Sequence, residues 1–180
     1  MFLRRGEEIT KRFFVIFFTG FESKMKILAI DSSTSCSVAL LDNRNILSQA
    51  STDSPRSDCI LPMIDQVFSE SESNLEEVDG FAVATGPGSF TGLRVSVGLL
   101  KGFVLATEKP FVGIDTLEAL AALTEPTPLQ ICALLDARKK EIYAAFFKHE
   151  NGRLRRLSED CVIPPESLKV SEPTVFIGSG

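Results

Sequence analysis

Histidine and paired cysteines, which many metal and proton-transfer sites use, are scarce in this 180-residue sequence. It has one histidine, His149, which argues against a metallohydrolase and against a histidine-based catalytic triad. We expect His149 to be a solvated residue at the end of a strand. The four cysteines, Cys36, Cys59, Cys132 and Cys161, include no CxxC pair, so no disulfide framework or zinc site is expected. This cysteine usage fits the reducing cytoplasm.

Long apolar runs and an excess of positive charge are missing as well. The apolar run at 13–18 is too short to span a membrane, and no small-residue cleavage site follows it, so we expect no membrane association. The chain has 19 Lys and Arg against 24 Asp and Glu, and without residues 1–24 the balance is 14 against 21. Phosphate contacts need many basic side chains, so any nucleic acid is expected to be held by a partner.

From Met25 onward predicted strands alternate with predicted helices, which is typical of an α/β fold. We predict that Met25 is the functional start and that residues 1–24 are an upstream extension outside the fold. Residues 25–125 are expected to form a first lobe, and residues 126–180 the start of a second, incomplete lobe after a proline-rich boundary. The predicted strands cover 27–30, 37–41, 46–52, 81–84, 111–114, 131–135, 142–147, 154–163 and 175–177, and the predicted helices 59–68, 90–107 and 117–123. Ser57 or Asp58 is the predicted cap of the first helix, and Thr116 that of the last.

The turn between the first two strands has the residue types of a phosphate-binding hairpin. Its sequence is Asp31-Ser32-Ser33-Thr34-Ser35. In actin-like and sugar-kinase-like ATPases a glycine stands where this chain has Ser33, and it lets backbone N–H groups close on the phosphate. Asp31, Ser33 and Thr34 are therefore candidate phosphate ligands. The missing glycine favours the alternative, a Ser/Thr-rich turn that only closes a hairpin.

A glycine-rich turn at residues 86–94 follows a predicted strand and opens a predicted helix. Its sequence is Gly86-Pro87-Gly88-Ser89-Phe90-Thr91-Gly92-Leu93-Arg94. Helix N-termini can bind anions, but this segment matches neither GxxxxGK[ST] nor GxGxxG. We prefer the interpretation that needs no ligand, a tight strand-to-helix turn capped by Ser89 or Thr91.

The helix predicted at 90–107 is apolar on two sides, which indicates that both sides are covered. One stripe contains Leu93, Val97, Leu100 and Val104. The other contains Val95, Gly98, Leu99, Gly102 and Ala106. Two glycines four positions apart permit a close helix-to-helix approach. We expect the sheet to cover one side and a partner chain the other, with a second helix of the same domain as the alternative.

The segment around Asp136 and Glu141 is predicted to be a β-hairpin tip, with Asp136 and Arg138 making local contacts. The two carboxylates could pair as acid and base, but the sequence supplies no nucleophile or metal ligand beside them. We therefore expect no catalysis there.

Together these segments resemble the TsaB (YeaZ) family. The likeness runs from Met25 to the end of the chain, and it is carried by residues 25–34, Leu61-Pro62-Met63-Ile64, residues 86–94, Asp136-Ala137-Arg138 and Glu141-Ile142-Tyr143. The resemblance implies an α/β, actin/sugar-kinase/Hsp70-like (ribonuclease H-like) fold with two lobes. It also implies a scaffold subunit, without catalysis of its own, in the synthesis of tRNA threonylcarbamoyladenosine.

The resemblance implies partners as well as a fold. These are a TsaD-like paralogue that performs the transfer and a TsaE-like ATPase, with a homodimer when the paralogue is absent and tRNA contacted only through the complex. No catalytic residue, metal or cofactor of its own is expected, while ATP or ADP would fit at the complex interface. The enzyme alternative is a stand-alone ATPase or small-molecule kinase of the same fold. The implied partner surface consists of Leu61, Ile64, Phe68, Val95, Gly98, Leu99, Leu100 and Gly102.

Overall fold

The computed structural model describes residues 25–43, 45–52 and 57–180. The predicted upstream extension, residues 1–24, lies outside the described residues. The chain divides into two compact units, residues 1–114 and 115–180. The boundary lies before the proline-rich stretch that the sequence suggested as the boundary. The short helix Thr116–Ala121 lies between the two positions and packs on strands of the second unit.

A five-stranded mixed sheet forms the centre of the first unit. Each predicted strand is confirmed here, with bounds β1 Lys26–Asp31, β2 Cys36–Asp42, β3 Asn45–Thr52, β4 Gly80–Gly86 and β5 Phe111–Asp115. Strand β1 is antiparallel to β2, which is antiparallel to β3, and β1 is parallel to β4. The spatial order is β3-β2-β1-β4-β5.

Helix α1 (Ile60–Glu70) covers β2 and β3 with one apolar face. Ile60, Met63, Ile64 and Val67 are its buried residues, at the spacing of an amphipathic helix. The predicted cap, Ser57 or Asp58, is wrong by one or two positions. These residues form a short 3₁₀ turn, Ser57–Cys59, and Cys59 occupies the N-cap position without a side-chain cap.

Helix α2 (Phe90–Thr107) packs against β4 and has the predicted bounds. Its predicted cap is confirmed, since Ser89 Oγ accepts a hydrogen bond from the N–H of Gly92. The helix ends with Glu108 in the left-handed conformation (φ 55°). Leu100 joins the core of this unit with residues of the sheet and of α1, including Leu28, Val83, Ile60 and Val67.

The second unit contains a second sheet. Its strands are β6 Gln130–Arg138, β7 Glu141–Glu150, β8 Arg153–Arg156, β9 Cys161–Ile163 and β10 Thr174–Gly178. Their order is β10-β6-β7-β8, with β9 also pairing with β7. The predicted strand at 154–163 is corrected to two strands, because β8 pairs with one end of β7 and β9 with the other.

The short helix α3 (Thr116–Ala121) opens the second unit and packs on β6 and β7. Its cap is Asp115, whose carboxylate accepts from the N–H of Glu118 at 2.8 Å, and not Thr116 as predicted. Arg156 ties this turn to the sheet. Its guanidinium pairs with Asp115 at 2.7 Å and with Asp160 at 2.5 Å, and lies 4.7 Å from the centre of the Phe147 ring.

Candidate functional site

The turn after β1 buries the first candidate phosphate ligand. Asp31 is 8% exposed, and its Oδ1 accepts a hydrogen bond from the backbone N–H of Ser33 at 2.8 Å. Burial raises the pKa of the Asp31 carboxyl, and the hydrogen bonds from Ser33 oppose that rise. The Ser33 hydroxyl is buried beside this carboxyl without a well-aligned partner, and Thr34 is exposed.

The glycine-rich turn after β4 packs directly on this first turn. The N–H of Ser89 donates to the carbonyl of Ser33 at 2.6 Å, and Ser32 Oγ donates to Ser96 Oγ at 2.9 Å. A side chain at Gly88 would clash with the backbone of Ser33, and one at Gly92 with the Ser32 carbonyl. The glycines therefore permit the backbones of the two turns to pack closely on each other.

Asp136 and His149 of the second unit each contact one other residue of that unit. Asp136 Oδ1 accepts from the N–H of Arg138 at 2.7 Å, which stabilises the predicted hairpin tip. His149 lies near the end of β7, half-buried, and its Nε2 is 3.3 Å from Thr124 Oγ1. In the described part of the chain, no three His, Cys, Asp or Glu side chains converge as a metal ion would require.

The side of α2 that faces away from the sheet is apolar and exposed. Only three of its 18 residues are buried, namely Gly92, Ser96 and Leu100. Leu105 is 83% exposed and Phe90 is 72% exposed. Among the described residues this is the one helix long and apolar enough to cross a membrane, yet it is held against β4 by its buried residues. Exposed apolar surfaces of this kind are typical of protein interaction sites in general.

The two glycines of α2 lie on that open side. Gly98 and Gly102 are exposed, and a Cβ at either position would have no atom within 4 Å. Leu105 follows Gly98 by two helical turns and therefore extends the same face. We call Gly98, Gly102 and Leu105 the α2 face. Since the glycines have no role in the packing of the described fold, they mark the place where another backbone could approach closely.

Two of the eight predicted partner-surface residues are placed in the core instead. Leu100 and Ile64 are each 3% exposed and pack together with the sheet, so neither is available to a partner. For Leu100 the sequence pattern missed this because both sides of α2 are apolar. Phe68, Val95 and Leu99 are half-buried against the core, and Leu61 is 51% exposed on α1.

Leu105 and Phe90 are exposed apolar residues that the sequence analysis did not include in the partner surface. Leu105 could have been found from its spacing, since it lies seven positions after Gly98 on the same side of the helix. Phe90 carries no such signal, because it is the first residue of the helix. Its ring lies 5.2 Å below the guanidinium carbon of Arg94.

Sequence comparison relates the chain to proteins of one tRNA-modification pathway. Residues 52–174 match the family model described as TsaD, tRNA N6-adenosine threonylcarbamoyltransferase. The Escherichia coli K12 protein named tRNA threonylcarbamoyladenosine biosynthesis protein TsaB is 34% identical over 167 residues, which are 87% of this chain and 72% of that protein. The Haemophilus influenzae protein of the same name is 39% identical over 137 residues, 72% and 56% of the two chains.

Structural comparison agrees with the sequence comparison. The solved structure of YeaZ from Pseudomonas aeruginosa superposes with a TM-score of 0.72 at 32% identity, covering 81% of this chain and 70% of that one. This likeness confirms that the chain has the α/β fold of YeaZ.

Proposed function

Because this chain belongs to the TsaB (YeaZ) family, we propose that it is a non-catalytic scaffold subunit in tRNA threonylcarbamoyladenosine synthesis, paired with a TsaD-like paralogue. Its relatives are named for that pathway, and further relatives are named as the transferase itself. The paralogue would perform the transfer. This chain would supply a folded surface and no reacting group.

The observation that carries this proposal is the open side of α2. Exposure of an apolar helix surface to water is unfavourable, and burial against another apolar surface would lower the free energy. A helix of the paralogue, or of a second copy when the paralogue is absent, would cover it. Leu61 and Phe68 of α1 and Val95 and Leu99 of α2 are proposed as the rim of this interface.

The turn at residues 31–35 favours a subunit without nucleotide chemistry of its own over a stand-alone ATPase or small-molecule kinase. A kinase of this fold is expected to have a glycine where this chain has Ser33, and the backbone of Ser33 is packed against Gly88 and accepts a hydrogen bond from the N–H of Ser89. We place any ATP or ADP at the interface with the partner, where a TsaE-like ATPase would also join.

The tRNA is proposed to contact the paralogue and not this chain alone. The chain carries a formal net charge of -5, whereas phosphate binding is driven by basic side chains. We propose the cytoplasm as the site of action, since tRNA modification takes place there and the thiols are not in disulfides.

The proposal is tested by light scattering on a sizing column, with the full chain alone and mixed with a TsaD-like paralogue. We expect a one-to-one complex that replaces a homodimer. Leu105→Asp should weaken that complex at least tenfold, because truncating a buried interface anchor typically costs about 1–2 kcal/mol and a charge adds a desolvation cost. Leu105 is 83% exposed, so the substitution should not affect folding.

Leu129→Asp is the matched control, since Leu129 is an exposed leucine outside the α2 face, 39% exposed and in the second unit. Equal binding by the Leu105 variant and the wild-type chain would remove α2 from the interface. Two independent peaks from the wild-type mixture at micromolar concentration would refute the subunit proposal itself.

A further inference from the structure

Two of the four cysteines meet in the first unit although they are distant in the sequence. Cys36 is the first residue of β2, opposite Thr52 of β3, and is 1% exposed. Cys59 occupies the N-cap of α1 and packs half-buried against the same apolar cluster. Both side chains belong to this one cluster, and the Cys59 thiol lies close enough to help raise the pKa of Cys36. The fold therefore presents two adjacent thiols, one sealed in the core and one at its boundary.

Solvent reaches the outer thiol through a groove between β3 and α1. The groove has a volume of about 470 Å³, and Cys59 lines it together with Gln49, Ser51, Thr52, Met63 and Gln66. Gln49 Oε1 is buried and has no hydrogen-bond partner among the described residues. A small polar molecule in the groove would lie beside the hydroxyls of Ser51 and Thr52, the amides of Gln49 and Gln66 and the thiol of Cys59. Cys36 does not line the groove and is buried in the core.

We propose that Cys36 and Cys59 form a redox-active dithiol whose oxidant is a low-molecular-weight disulfide of the glutathione type. Cys59 as thiolate attacks one sulfur of that disulfide, which breaks the S–S bond and releases one thiolate. Cys36 then loses its proton and attacks the Cys59 sulfur, forming the Cys36–Cys59 bond and releasing the second thiolate. Two protein thiols are oxidised by two electrons, and one small disulfide is reduced to two thiols.

The order of the two steps follows from access. Cys59 lines the groove and Cys36 does not, so the mixed disulfide forms on Cys59. Burial and the contact with Cys59 raise the pKa of Cys36 to about 12, and the nearby carboxylates of Asp31 and Asp58 act in the same direction. The contact with a Cys59 thiol is lost in the mixed disulfide, but burial is the largest cause of the raised pKa and remains, so closure of the internal bond depends on a small thiolate fraction. Its rate should rise about tenfold between about pH 7 and about pH 8.

Mass spectrometry of the full chain after incubation with oxidised glutathione tests this inference. We expect the wild-type chain to gain one glutathione and then lose it, leaving a product lighter by two hydrogens with Cys36 and Cys59 joined in one peptide pair. Cys36→Ser should stop at the glutathione adduct on Cys59. Cys59→Ser should leave Cys36 unmodified. Cys36→Ala repeats the first variant without a buried hydroxyl, and circular dichroism confirms that each variant is folded.

Cys161→Ser is the matched control, because Cys161 is also half-buried but lies in the second unit. It should leave the reaction of the pair unchanged. A wild-type chain that keeps its glutathione adduct, or that does not react while Cys59 is accessible to a small alkylating reagent, would overturn the inference. So would closure at the same rate across the pH range. This inference is independent of the proposed partner subunit and is measured on the isolated chain.

Discussion

Replacement of Gly98 and Gly102 by alanine should stabilise the isolated chain. Both positions are in the interior of α2, where glycine costs about 0.5–1 kcal/mol relative to alanine because it loses more backbone freedom on folding. A new Cβ at either position meets no atom within 4 Å, so no strain offsets this gain. The double variant should therefore gain about 1–2 kcal/mol in the free energy of unfolding.

Gly92→Ala in the same helix is the internal control. Its Cβ would overlap the Ser32 carbonyl oxygen, and this contact involves backbone that cannot move without disturbing the Asp31 turn. We expect a loss of about 1–3 kcal/mol in the free energy of unfolding, as in other overpacked cores. The same chemical change should thus have opposite signs at positions of one helix.

Urea denaturation followed by far-ultraviolet circular dichroism measures both effects, with the midpoint and the slope compared between variants. For a chain of this length a gain of 1–2 kcal/mol corresponds to roughly 2–8 °C in Tm. Destabilisation by alanine at 98 or 102 would contradict the reasoning, because it would mean that the described fold already uses the space beside the glycines. Unchanged stability of Gly92→Ala would contradict the close packing of the two turns.

Two further predictions concern ionisable groups. Asp31→Asn keeps an acceptor for the Ser33 N–H but removes a buried charge. Because the folded pKa of Asp31 is raised, the stability of the wild-type chain should fall as the pH rises from the ordinary value of 3.8 through the folded pKa. The stability of the variant should change less over that pH range, and the variant should be more stable than the wild-type chain at neutral pH. Parallel pH profiles of the two urea midpoints would contradict this assignment. Arg156→Lys should cost about 1–2 kcal/mol in unfolding free energy, because an ammonium cannot bridge Asp115 and Asp160 while lying over the Phe147 ring. Arg155→Lys, whose side chain is 64% exposed and pairs with Glu150, should change stability by less than about 0.5 kcal/mol, and equal losses in the two variants would refute the role given to the bridge.

Short-range patterns were sufficient for most of the first unit. The alternation of apolar strands with an amphipathic helix predicted β1 to β5, α1 and α2, and Ser89 was identified as a cap from its place before the helix. Local patterns predicted the residues that begin the helices less well. The cap of α1 and the cap of α3 were misplaced, because a 3₁₀ turn in one case and the Asp115 carboxylate in the other satisfy the first N–H groups.

The sequence by itself determined the fold class and the family, because these depend on residue types and on their spacing along the chain. Only the tertiary structure decided which side of α2 is open, since Leu100 and Gly98 belong to equally apolar stripes and the sheet covers only one of them. It also brought Cys36 and Cys59 together. This contact depends on how β2 and α1 pack against each other, and the positions of the two cysteines in the sequence do not predict the distance between their side chains.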